Sequence, residues 1–113
     1  IGIILGVPGV RDALRGSPAP VVGVSPLIGG RPVRGHADVC LQAIGVDSSA
    51  MAVAGLYADF LDAWLVDPAD LPATLPVSPR VAAYAGPLLM RDRGTAAEIA
   101  RATLDLGLSV KPA

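Results

Sequence analysis

PVVGVSPLIGGRPVRGHAD, Pro20 to Asp38, is the stretch on which the reading of the fold turns. Its first part, PVVGVS, is a continuous apolar run closed off by Pro20 and Pro26. Such a run, without polar alternation, reads as a strand buried on both faces, as in a parallel sheet covered by helices. A loop follows with Gly29, Gly30, Arg31 and Arg34. Then comes a helical pattern in which Ala37, Val39, Cys40, Leu41, Ala43 and Ile44 form the apolar face and Gly45 is the stop. Strand, loop and helix in that order make a βα unit.

The alternation extends both ways. Val7 to Arg15 reads as a short helix, with Pro8 and Gly9 at its start and Gly16 past its end. Ser48 or Ser49 can cap a further helix running through Met51, Val53, Ala54 and Tyr57. DAWLVD, Asp62 to Asp67, has an apolar centre ended by Asp-Pro and reads as a central parallel strand. PADLPATLP, from Pro68, is a short helical or irregular crossover, and RVAAYAG, from Arg80, is a third strand. Thr95 to Leu106 is the clearest helix: Thr95 and Glu98 match a capping box, and Ile99, Ala102, Leu104 and Leu106 supply its apolar positions. Gly107 is expected to end it, and Pro112 to keep the tail from continuing. The 13 glycines and 11 prolines fall at element boundaries, so they punctuate structure rather than replace it. The fold class is α/β with a mostly parallel sheet.

Composition narrows the function. The 113 residues suffice for one domain, and an apolar fraction of 52% supplies a core. A net charge of −1 and only four aromatic residues (Tyr57, Phe60, Trp64 and Tyr84) argue against a nucleic-acid partner, which needs a basic footprint or a stacking platform. The opening IGIILGVPGV is interrupted by Pro8 and Arg11 well short of a membrane span. It also lacks an initiator Met, so the chain reads as a piece of something longer. Cys40 and His36 are each the only one of their kind, so neither an internal disulfide nor a Cys/His zinc site can be built. Cys40 is read as a buried packing thiol and His36 as a surface residue at a helix start.

The Ser25 to Gly35 loop leaves the first strand at its carboxyl end, where open α/β sheets bind ligands. Gly29 and Gly30 can adopt positive φ and offer N–H groups to an anion. Arg31 and Arg34 carry planar, always charged forks suited to phosphate. Gly35 precedes a helix start with free N–H groups. Two readings stand side by side: a phosphate-binding loop, or an ordinary Pro/Gly-rich connection with exposed arginines. Elsewhere, Asp67 and Asp70 read as helix-capping residues, Asp59 and Asp62 as a solvated turn, and Asp92 with Arg91 and Arg93 as an exposed charge cluster.

The residues from Val21 to Asp70 resemble the 2-phospho-L-lactate transferase family of coenzyme F420 biosynthesis, with its actinobacterial phosphoenolpyruvate transferase branch the closer match. The likeness rests on Val-Ser-Pro-x-Ile-Gly-Gly-x-x-Val-x-Gly-x-Ala-Asp, on Gly-Val-x-x-Ser-Ala after the helix, and on the Leu-Asp-x-x-x-Val-Asp strand. The flanks, IGIILGVPGVRDAL and PLLMRD with AAEIARATLDL, agree with it.

The resemblance implies a Rossmann-like three-layer α/β fold, of which this chain is an incomplete, C-terminal part of one domain. It implies a cytoplasmic transferase, homodimeric at full length. Such an enzyme joins a phosphoenolpyruvyl or phospholactyl group, carried on guanosine diphosphate, to the deazaflavin Fo and releases GMP. It implies magnesium, with ligands outside this chain. Ser25, Pro26, Gly29, Gly30, Arg31, Arg34 and Gly35 are then the expected substrate-binding residues. Three places depart from the family pattern: Ile3 replaces Pro, His36 replaces Pro or Met, and AGLY at Ala54 to Tyr57 replaces Ala-Arg-His-Tyr. The alternatives are a non-catalytic nucleotide- or nucleotide-sugar-binding module, or an inactive fragment whose sheet exposes an apolar edge.

Overall fold

A computed structural model describes residues 2–70 and 81–110. Its centre is a three-stranded parallel sheet in the order β1 (Val22–Val24), β4 (Ala63–Val66), β5 (Ala82–Ala85). Val22 faces Ala63, and Val66 faces Ala85 across the next pair. Between β1 and β4 lie the short hairpin β2 (Leu27–Ile28) and β3 (Arg31–Pro32), then helices α3 (Ala37–Ala43) and α4 (Ala50–Gly55). Two short helices, α1 (Gly2–Leu5) and α2 (Val10–Arg15), precede the sheet, and α5 (Arg93–Val110) follows it.

All four residues of β4 are buried, as its apolar centre demands. Successive side chains of a strand point to opposite faces, and β4 shows it. Trp64 and Val66 join Leu41, Val53 and Ala54 in one core, under α3 and α4. Ala63 and Leu65 join Leu88, Ile99 and Leu106 in the other, under α5. The layers are helix, sheet, helix, which is a partial Rossmann-like arrangement. No described helix is long and apolar enough to cross a membrane.

β1 is not the fully buried strand expected of PVVGVS. Among the described residues it pairs only with β4, so its outer side is an edge, and Val24 is 37% exposed. The expected apolar face of α3 is also too wide. Only Leu41 is buried, with Ala37 packed beside it one turn earlier, while Val39 and Ile44 are exposed. A seven-residue helix seats one i, i+4 stripe, and Cys40 lies off it, exposed rather than packed. Gly45 does end this helix, at φ 74°.

Ser49 is the cap of α4, accepting the Ala52 N–H at 3.1 Å, and the helix stops at Gly55 rather than reaching Tyr57. α5 begins earlier and ends later than its capping box suggested. Asp92, not Thr95, takes the N-cap role: its Oδ1 accepts the Thr95 N–H at 2.8 Å, and Thr95 Oγ1 accepts the Asp92 N–H at 3.1 Å. Gly107 does not end α5. It is buried where the helix crosses β1, and a Cβ there would lie 3.2 Å from Val22 Cγ2. The glycine is a close-approach position. The expectations for residues 71–80 and for the tail beyond 110 lie outside the described residues.

Asp59 and Asp62 are not a solvated turn. Asp59 takes Arg11 Nη2 on Oδ1 at 2.6 Å and Arg11 Nε on Oδ2 at 2.8 Å, with Arg15 joining at 2.7 Å. Arg11 also lies over the Phe60 ring, 5.3 Å from its centroid. The Arg11 and Arg15 guanidinium donors pull the Asp59 carboxyl down to about 2. Asp62 Oδ2 accepts the Val21 N–H at 2.8 Å and so anchors the start of β1.

Candidate functional site

The carboxyl ends of the three parallel strands converge on one edge of the molecule. Ser25 directly follows β1, Asp67 directly follows β4, and Leu88 to Met90 come shortly after β5. Between the first and the last of these lies a cleft of about 370 Å³. One wall is Ser25, Pro26, Ile28, Val33 and Arg34; the other is Leu88, Leu89 and Met90. This is where an open parallel sheet presents a ligand to its loops. Apolar side chains form most of the lining, and Arg34 supplies the charge.

Two of the larger hollows suit an anion less well. One, of about 460 Å³, is walled by Val21 to Val24, Phe60, Leu61 and Trp64 and holds no charged group. Another, of about 750 Å³, contains one charged side chain, Arg11, which is already committed to Asp59.

Local chemistry explains the loop's course. Gly29 and Gly30, at φ 63° and 76°, form the two-residue turn between β2 and β3, with Ile28 facing Arg31. Both central residues have positive φ, as a type I′ hairpin turn requires, and glycine meets that without strain. Ser25 is 6% exposed; its Oγ accepts the Leu27 N–H at 3.2 Å, and its own N–H donates to Leu65 C=O at 2.8 Å. Its hydroxyl thus shapes the exit from β1. Gly35, at φ 82°, turns the chain toward α3, and His36 stands exposed at that helix start.

Six of the seven expected binding residues divide into two groups, and Gly29 lines neither hollow. Ser25, Pro26 and Arg34 share the cleft. Gly30, Arg31 and Gly35 line a separate depression of about 610 Å³ beside His36 and Ser48. The arginines are therefore on different sides of the hairpin. Both are exposed, and among the described residues neither has an ion pair. The Gly29 and Gly30 N–H groups are not free to meet a ligand as the loop's composition suggested. They donate to Asp70 Oδ2 and Oδ1 at 3.1 and 2.8 Å.

Asp67 and Asp70 are the carboxylates nearest these strand ends, and they do not fit magnesium. Asp67 accepts from Ala69 N–H at 3.0 Å and from Leu88 N–H at 3.1 Å, and Asp70 holds the two glycine N–H groups. Among the described residues no three His, Cys, Asp or Glu side chains gather into a metal site. Asp67 does cap its own turn, as the sequence suggested. Asp70 instead reaches across 40 residues to the hairpin, a contact with no signature in local sequence.

The departure at Gly55 and Leu56 does not touch the cleft. These residues end α4, where the chain turns back toward β4, and Leu56 C=O accepts from Arg11 Nη2 at 2.6 Å.

A family model described as 2-phospho-L-lactate transferase CofD matches residues 1–86. The chain is 52% identical to a phosphoenolpyruvate transferase of Kitasatospora aureofaciens, over 98% of its own length and 35% of that protein's. It is 54% identical to the phosphoenolpyruvate transferase of Thermobifida fusca, over 98% and 33% respectively. A Mycobacterium tuberculosis protein of the same name is 49% identical, over 94% and 32%. The chain spans about a third of the length of the curated relatives it matches.

Proposed function

The chain belongs to the 2-phospho-L-lactate transferase CofD family, and on that premise we propose that it serves a transferase of coenzyme F420 biosynthesis, forming the C-terminal part of the transferase domain. The reaction joins a phosphoenolpyruvyl or phospholactyl group to the deazaflavin Fo from a donor in which that group's phosphate is linked to GMP, making a guanosine diphosphate ester. The names of the relatives favour the phosphoenolpyruvyl group. The enzyme works in the cytoplasm as a homodimer.

The observation that carries this reading is the cleft at the strand ends, with Arg34 in its wall. In the transfer a hydroxyl oxygen of Fo attacks the phosphorus that bears the enolpyruvyl or lactyl ester. A new P–O ester bond forms, the P–O–P bond to the guanosine phosphate breaks, GMP leaves with the electron pair, and the hydroxyl loses its proton. Negative charge grows on the departing phosphate oxygen, and a guanidinium placed in advance at that point lowers the barrier. Arg34 is the group here that supplies it. Substrate seated against the apolar wall of Ile28, Val33, Leu88 and Met90 would displace water, which otherwise competes with Fo as acceptor. Magnesium, which the family resemblance implies, is held by residues other than those described.

The experiment is to incubate the full-length gene product with Fo and a guanosine-diphosphate-linked phosphoenolpyruvyl donor. GMP and the Fo phosphodiester should form in equal amounts. GMP release without the Fo ester would reduce the activity to hydrolysis and contradict the reading.

A further inference from the structure

Asp67-Pro68-Ala69-Asp70 follows directly on the central strand, and its two carboxylates go one to the Leu88 wall of the cleft and one to the turn of the hairpin whose flanks, Ile28 and Val33, form the other wall. Asp67 Oδ2 accepts the Leu88 N–H at 3.1 Å, 21 residues on. Asp70 accepts both turn N–H groups of the β2–β3 hairpin, Gly30 on Oδ1 at 2.8 Å and Gly29 on Oδ2 at 3.1 Å. Converging N–H groups in a positive-φ turn are a natural seat for an anion, and here the chain provides the anion itself. Ser48 Oγ secures the same turn from the other side by donating to Gly30 C=O at 2.8 Å. Both polar groups of Gly30 are thereby held.

The hairpin leads through β3 to Arg34, and Leu88 begins the facing wall. β4, from which both carboxylates spring, is buried along its whole length. A brace rooted in a buried strand, attached to one wall directly and to the other through the hairpin turn, sets the distance between them. We propose that Asp67 and Asp70 are positioning residues for this cleft: they act through the Leu88 and Gly29–Gly30 N–H groups to hold Arg34 against the donor's diphosphate. This rests on the transferase reading and adds to it two residues that touch no substrate.

The test uses the full-length gene product with Asp70→Ala, Asp70→Asn and Asp67→Ala. KM and kcat are read for the guanosine-diphosphate-linked phosphoenolpyruvyl donor, and amide hydrogen exchange is read at Gly29, Gly30 and Leu88. Loss of about 1 Å of positional control costs about 100-fold in kcat/KM, and that is the expected effect of Asp70→Ala, with the larger share in KM. Asp70→Asn keeps one carbonyl oxygen for one N–H group and should fall between Asp70→Ala and wild type. Exchange should accelerate at Gly29 and Gly30 in Asp70→Ala and at Leu88 in Asp67→Ala, with β4 amides unchanged. A purely structural role would instead lower stability and accelerate β4 exchange while leaving KM alone, which overturns the proposal. So does tighter donor binding by Asp70→Ala, because it would show the carboxylate competing with the donor for the turn. A wild-type protein that releases no GMP sinks the transferase reading only. The brace is then judged on exchange, where unchanged rates in the variants overturn it.

Discussion

Gly23→Ala would put a methyl group where the structure has an indole ring. Gly23 is the register partner of Trp64 across β1 and β4, and both side-chain positions face the α3–α4 core. A Cβ built on Gly23 falls 2.5 Å from Trp64 Cε3 and Cζ3, and 3.1 Å from Leu61 Cδ2. Carbon atoms in contact settle about 3.5 Å apart or more, so the ring must retreat by about 1 Å. Trp64 is 3% exposed but borders the hollow of about 460 Å³, so the ring can take up only part of that shift without disturbing its packed face. Overpacking of this kind costs about 1–3 kcal/mol. The lower unfolded-state entropy of alanine returns about 0.4–1 kcal/mol, so the net loss is centred on about 1.3 kcal/mol and does not exceed about 2.6 kcal/mol. Urea unfolding followed by far-ultraviolet circular dichroism should show the midpoint falling at constant m-value. Trp64→Phe removes part of the clashing ring and also a buried indole N–H that has no partner among the described residues. Gly23→Ala should therefore cost about 1 kcal/mol less in a Trp64→Phe background than in wild type. A Gly23→Ala protein more stable than wild type would refute the packing of Trp64 over β1.

Asp92→Ala removes the N-cap of α5 and should cost about 1 kcal/mol in the same assay, with Asp92→Asn recovering most of it. Acid should weaken the attachment of α2. The Asp59 carboxyl lies near 2 in the folded chain against an ordinary 3.8, so its contribution is full above 3.8 and is lost as pH falls from there through about 2. Asp92, lowered by the Thr95 N–H, acts in the same sense. Urea midpoints measured across that interval should fall less steeply in Asp59→Asn than in wild type; parallel slopes would contradict the Arg11–Asp59 account.

The sequence disclosed the parts whose physics is local. DAWLVD announced a buried central strand because its apolar centre is sharply bounded by Asp62 and the Asp67-Pro68 pair. Gly45 and Ser49 showed helix ends because φ and side-chain capping are properties of single residues. The Gly29–Gly30 turn was open to a better reading. A two-residue Gly-Gly between Leu-Ile and Arg-Pro is a hairpin signal, but strands of two residues are too short for alternation to register. Asp92 and Thr95 can each cap a helix, and spacing alone does not choose between them. What periodicity could not convey was the long-range pairing: Asp59 with Arg11 across 48 residues, and Asp70 with Gly29 across 41. Those contacts depend on how the helices lie on the sheet. They also changed the meaning of the candidate site, because the N–H groups expected to meet a ligand turn out to meet Asp70.

The central claim is that the cleft between the hairpin and Leu88 to Met90 receives the diphosphate donor, with Arg34 as its charged contact. Titrating the full-length gene product and its Arg34→Ala variant with the guanosine-diphosphate-linked phosphoenolpyruvyl donor tests that directly. A charge-assisted hydrogen bond of about 1.5–3 kcal/mol predicts that Arg34→Ala weakens binding by about 10- to 150-fold, with the fold intact by circular dichroism. Unchanged affinity in a folded Arg34→Ala protein would contradict the claim and place the donor elsewhere on the molecule.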